Sequence, residues 1–165
     1  MSDSIHDLRA ALIAALDTSD LGRGGQMKTL DQCRAQLENR TLVENALLIS
    51  GHEGADFSWN DQLELYYDIE RDGEDLGFIS KGWTDPGFRV GEVLTIPAED
   101  IEGFTARVED VHDLCSTNGF ACTVTMTPDH CEVLIECVIY CSGFDGRTLS
   151  QSLAALAKCS RAARG

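Results

Sequence analysis

Two residues of this chain have the types and spacing of a nucleophilic pair. His112 and Cys115 lie three apart in a stretch that reads as helix, so their side chains fall on neighbouring positions of one face. A thiolate beside an imidazole serves cysteine-dependent enzymes and redox proteins. It requires an exposed thiol of lowered pKa and a third group to orient the ring. Asp113 is adjacent but points elsewhere, and Cys115 also continues an apolar stripe, so burial as a small hydrophobe is the competing reading. Seven cysteines and four histidines raise metal binding as well. Paired Cys-x-x-Cys spacing does not occur. Cys137 and Cys141 stand about 13 Å apart along a strand at about 3.3 Å per residue, too far to share a zinc with Zn–S bonds of about 2.3 Å. Cys122, Cys131 and Cys137 read more simply as core residues. Glu64/Asp68 and Asp72/Glu74 lack the spacing of a calcium loop, and Gly22-x-Gly24-Gly25 lacks the lysine of a phosphate loop. Trp59, Trp83, Tyr66 and Tyr67 could form an aromatic surface or pack as core and rim. No catalytic, cofactor-binding or metal site is assigned on these patterns.

The elements that must position these residues are clearest in the last third. Pro97, with its fixed φ, opens a helix whose first turn carries Glu99, Asp100 and Glu102, where negative charge suits the helix dipole. Ile101, Phe104, Val108, Val111 and Cys115 recur at three- and four-residue steps, and Asn118-Gly119 ends the helix. A hairpin follows, Ala121 to Met126 and Cys131 to Cys141, joined by Thr127-Pro128-Asp129-His130. With a four-residue loop Met126 faces Cys131, Val124 faces Val133 and Cys122 faces Ile135, so both apolar faces point one way. Thr123, Thr125, Glu132 and Glu136 then face solvent. Thr148 and Gln151 read as a capping box before a final helix with the stripe Leu149, Leu153, Leu156.

Upstream, Ser4 to Leu16 and Gln26 to Asn39 read as amphipathic helices, the second with Leu30, Cys33 and Leu37 on one side. Asp17 to Gly25 is turn-rich. Leu42 to Ser50 is a strand or a helix end, which periodicity does not decide. Gly51-His52-Glu53-Gly54 reads as a loop. Gln62 to Glu70, Leu76 to Lys81 and Phe88 to Ile96 are strands, the first two joined by an Asp72-Gly73 turn, with a bulge expected at Gly91.

The chain has 165 residues and a formal net charge of −15. That length suits one domain with a real core. The charge argues against binding nucleic acid or an anionic membrane through a broad field. No apolar run is long enough to span a bilayer, and the amino terminus has no signal-peptide core. A cytoplasmic setting with free thiols is therefore expected.

Three stretches carry a family likeness: Val111-His112-Asp113-Leu114-Cys115, the hairpin Thr123 to Tyr140, and Gly143-Phe144-Asp145-Gly146-Arg147-Thr148-Leu149. With them, the segment from about Gln62 to Ala162 resembles the YbjN family of bacterial proteins, described as sensory transduction regulators. Its order of elements is similar to the type III secretion chaperone-like fold. The resemblance implies a small protein-binding or regulatory module without catalytic residues, often a dimer. The expectation is thus a single α+β domain over 1–165, an antiparallel sheet of about five strands packed by helices. Residues 1–40 would form a helical segment and 41–165 a YbjN-like core. A protein partner or a homodimer through the helix Pro97 to Asn118 and part of the sheet is expected, with Phe104, Val108 and Trp83 as contacts. The alternative is a cysteine-dependent enzyme or redox protein using Cys115 and His112.

Overall fold

The structure, a computed structural model, describes residues 23–59 and 64–165; the candidate helix Ser4 to Leu16 lies outside them. The first described element, α1 (Arg23–Ser50), is one helix of 28 residues. It runs through the expected boundary at residue 40, takes Gly24 and Gly25 into its first turn, and absorbs Leu42 to Ser50. Local chemistry carries it across: Arg40 pairs with Glu44 one turn on at 2.8 Å, and the Thr41 hydroxyl donates back to the Leu37 carbonyl. It stops where Gly51 takes φ +72°, with His52 N–H on Leu47 O and Gly51 N–H on Leu48 O, the paired bonds of a Schellman turn.

The chain then makes β1 (Glu53–Trp59), β2 (Leu65–Arg71), β3 (Glu74–Lys81) and β4 (Gly87–Pro97). After a 3₁₀ turn come α2 (Ile101–Thr117), the hairpin β5 (Ala121–Met126) and β6 (His130–Tyr140), and the last helix α3 (Gly146–Arg164). The described strands form one antiparallel sheet of six in the order β1-β2-β3-β4-β6-β5. The α+β architecture is as expected, but the sheet is larger than about five strands, because Glu53 and Gly54 open β1 rather than a loop. Gly54 allows this: a Cβ there would lie 2.8 Å from the Tyr67 ring.

The hairpin register is the expected one, with Met126 opposite Cys131, Val124 opposite Val133 and Cys122 opposite Ile135. The expected bulge at Gly91 is not there; β4 pairs with β6 without interruption. The irregularity lies in β3, where Leu76 is the extra residue between Gly77 and Asp75 in the pairing with β2. Gly77 takes φ +121°, and a Cβ on it would meet the Gly91 carbonyl at 2.3 Å, so glycine is required.

The helices cover one face of the sheet. α3 lies against β3, β4 and β6, α2 packs on β5 and α3, and α1 packs on α3 and β1. Their stripes meet Leu65, Ile69, Ile79, Phe88, Val90 and Ile135, all fully buried. Phe144 stacks on Phe88 with ring centroids 4.0 Å apart. α1 is clipped to the β3–β4 corner by Gln36, whose amide donates to the Lys81 carbonyl at 2.8 Å. The buried Lys81 ammonium in turn donates to the carbonyls of Gly82 and Asp85. α3 is tied down at its end by Arg107, which donates to the carbonyls of Ala163 and Arg164.

The capping box of α3 sits three residues earlier than expected. Asp145, not Thr148, is the N-cap, accepting from Thr148 N–H at 2.8 Å while the Thr148 hydroxyl accepts from Asp145 N–H at 3.0 Å. Gly146 can open the helix because it has no Cβ; one would lie 2.7 Å from the Ile49 side chain. The Thr148 backbone and side-chain bonds hold the Asp145 carboxyl below its ordinary 3.8. A lowered folded value means that the cap stabilises above pH 3.8 and loses this effect as pH falls through the lowered value. Asp145→Ala should therefore be less stable than the parent at pH 7, with the gap narrowing in acid, as measured by urea unfolding across pH.

Candidate functional site

Alternation along the strands sorts their side chains onto two faces. The helices cover the face of Leu65, Tyr67, Ile79, Phe88 and Ile135. The opposite face carries Tyr66, Phe78, Arg89, Val93 and Leu134, and no described element lies over it. A hollow of about 440 Å³ opens there, lined by Ser58, Glu64, Tyr66, Phe78, Ser80, Arg89, Val93 and Leu134.

Its floor is apolar for a local reason. Gly91 on β4 sits opposite Phe78 on β3, and a Cβ at Gly91 would lie 3.0 Å from Phe78 Cζ. The missing side chain lets the Phe78 ring lie across β4. Tyr66 stacks against Phe78 with centroids 5.7 Å apart and planes 17° apart. Val93 stands opposite Leu134 and is 56% exposed.

The polar groups around this floor are mostly acidic. Tyr66 donates its hydroxyl to Asp68 at 2.9 Å. Burial first, then that bond and the charges of Asp68 and Asp75, push the phenol up to about 12. Glu132, expected in solvent, is exposed. Glu136 is only half-exposed, because Arg89 reaches it from β4, donating through Nε at 3.1 Å and through Nη2. The pairing is charge-assisted and two-pronged from the arginine side.

The residues singled out by sequence are dispersed. His112 is exposed, whereas Cys115 on the same helix is fully buried. The structure groups Cys115 instead with Cys159 of α3 and Cys122 of β5, and burial, followed by these neighbouring thiols, pushes Cys115 up to about 12. A thiol in that state carries almost no thiolate at neutral pH. Cys137 is likewise pushed up to about 11, chiefly by burial. All seven cysteines are free, and among the described residues no three His, Cys, Asp or Glu side chains are grouped to hold a metal ion. Phe104, expected at an interface, is instead core: it is 2% exposed, under the Arg107 guanidinium. Val108 is half-buried against the same core, and Trp83 is 37% exposed beside the β3–β4 turn. Of the four aromatics considered together, Tyr67 is core, donating to Glu44 at 2.9 Å, and Tyr66 is on the open face. Tyr66 is among the aromatics that the sequence singles out; Phe78, Val93, Leu134 and Arg89 are not. The strand alternation that located the buried face could have named them by parity.

No known protein family matches the chain, and no curated protein does. A crystal structure of an uncharacterized protein from Methanothermobacter thermautotrophicus superimposes with a TM-score of 0.61. It shares 10% identity over 75% of this chain and 92% of that one. The likeness is one of fold. No helix among the described residues is long and apolar enough to cross a membrane.

Two outcomes test this geometry. Gly91→Ala should push Phe78 off β4, weaken the Tyr66 signal in near-ultraviolet circular dichroism and cost about 1–3 kcal/mol in urea unfolding, the usual range for overpacking. In thiol titration of the native protein at pH 8, the exposed Cys141 should react fast, the half-buried Cys137 more slowly, and Cys115 only as the protein unfolds.

Proposed function

We propose that the protein is a non-enzymatic, YbjN-like protein-binding or regulatory module of type III secretion chaperone-like fold, and that the open sheet face is its binding surface. The observation that carries this reading is the pairing of a fully covered face with an uncovered one that bears an apolar-floored hollow. Val93, Val138 and Tyr140 are 56%, 47% and 63% exposed on that open face. Apolar surface of this kind on a folded domain typically marks an interaction site. The buried, high-pKa state of Cys115 supports a core role for the thiol rather than a catalytic one.

The carboxylates of the open face disfavour phosphate backbones and anionic lipid, so the partner is a protein rather than nucleic acid or membrane. Free thiols suit the cytoplasm. The proposal extends to a homodimer through α2 and the neighbouring strand. It is supported by β5, which ends the sheet with the uncharged run Ala121–Met126.

Peptides selected from a random display library on the native protein should share a motif, and their binding should protect amides of β3, β4 and β6 from exchange. A selection with no enrichment over a blank surface would count against the reading. Light scattering at low micromolar protein should give a mass of two chains; one chain, unchanged on concentration, would remove the homodimer.

A further inference from the structure

We propose that the open sheet face docks a basic amphipathic helix of a partner protein; this rests on the protein-binding reading above and names the partner's chemistry. The first argument is charge. By strand parity Asp68, Glu70, Glu132 and Glu136 lie on this face, and Glu64 lines its hollow. Among the described residues Arg89 is the one permanent cation that the strands place there, and it is held by Glu136. His130 stands at the margin, 3.4 Å from Glu132. An apolar floor rimmed by carboxylates is complementary to an apolar stripe flanked by Lys or Arg. The same rim disfavours a second copy of this chain, which would bring carboxylates against carboxylates across a desolvated contact.

The second argument concerns backbone. The face of a paired sheet offers an incoming chain no free N–H or C=O, since its own are used in the ladder. An occupant must satisfy its own backbone groups, which a helix does and an extended segment does not. The floor has the length for it. Tyr66, Phe78, Val93 and Leu134 come one from each of β2, β3, β4 and β6, in a row displaced by two residues from Tyr66 to Phe78 and two more to Val93. With about 3.3 Å per residue along a strand and about 4.8 Å between strands, the row runs diagonally for about 20 Å. A helix covers that in about 13 residues, or between three and four turns, presenting apolar residues at i, i+3 or i+4, i+7 and i+11.

The test uses the full chain and synthetic labelled peptides of about 14 residues, read by fluorescence anisotropy. One peptide has leucine at the helical spacing and lysine elsewhere. A second replaces lysine by glutamate, and a third keeps the composition but scrambles the leucines. The lysine peptide should bind, and the other two should bind about tenfold more weakly or worse, a difference of about 1.4 kcal/mol. Val93→Lys, at an exposed site, should weaken binding about tenfold. The exposed Asp110→Asn on α2 changes net charge equally and should leave it within about twofold.

Equal loss in both variants would show only the field of an acidic protein and overturn the proposal. So would tighter binding of the glutamate peptide, which would leave the protein-binding reading standing with a partner of the other charge. If no peptide binds and Val93→Lys converts a dimer to one chain in light scattering, the occupant is a second copy. If it is residues 1–22 of the chain itself, removing them should create binding of the glutamate or scrambled peptide as well as the lysine one. Failure of all peptides, with one-chain mass throughout and no enrichment in display selection, would sink the protein-binding reading itself.

Discussion

The pairing of β4 with β6 holds this fold together. It runs without a break from Gly87 opposite Tyr140 to Pro97 opposite His130, and it is the only ladder joining the amino-terminal meander to the carboxy-terminal hairpin among the described strands. The approach is close enough to dictate residue type. A Cβ on Gly87 would lie 2.4 Å from the Ile139 carbonyl, and one on Gly91 would lie 2.6 Å from that of Ile135. Both glycines are therefore demanded by an adjacent backbone. The cost of placing glycine in a strand is offset on both faces. On one, Phe88, Val90, Leu94 and Ile96 alternate with Gly87 and Gly91 to fill the core beneath α3. On the other, the gap at Gly91 is filled by Phe78 from the next strand.

That arrangement explains why a covered and an open face can coexist. A strand residue that faces the helices buries about 1.5–3 kcal/mol of apolar transfer energy, so the sequence places branched and aromatic residues there at every second position. On the other face the sequence sets carboxylates, threonine and one ion pair around the apolar floor of Tyr66, Phe78, Val93 and Leu134. Glu92 shows how strictly parity acts. It falls on the helix-covered face, where a carboxylate is expensive, and it is accommodated only because Arg164 at the end of α3 reaches it. Arg107 fixes that end of α3, so the same helix terminus serves both charge balance and packing.

Much of this was legible from residues alone, where one period dominated. The hairpin register of β5 and β6 followed from Cys122, Val124 and Met126 against Cys131, Val133 and Ile135, since a slip of one residue would turn an apolar set to water. The stripes of α2 and α3 were equally plain. What local pattern does not show is mostly decided by contacts distant in sequence. The start of β1 at Glu53-Gly54 looks like loop because Gly54 is there to admit the ring of Tyr67. The cap is a local exception: Thr148-x-x-Gln151 has the capping-box pattern, but Asp145-x-x-Thr148 satisfies the same two bonds three residues earlier. Gly91 looked like a bulge because its alternation fails, whereas the failure records a close backbone approach. The open hollow was legible residue by residue through strand parity but not as a site: its floor residues come from four strands, and no single stretch announces them.

The cysteines follow the same logic of placement over type. Cys115, Cys122 and Cys159 are drawn from a helix, a strand and a second helix into one interior cluster. A small, weakly polar side chain is useful there, because the junction of α2, α3 and β5 must close without voids. His112, three residues from Cys115, is turned to solvent by the same helical rotation that buries the thiol. A spacing of three places two residues on neighbouring positions of a helix, but the edge of the apolar stripe can run between them. At this helix it does, and it separates a would-be base from a would-be nucleophile.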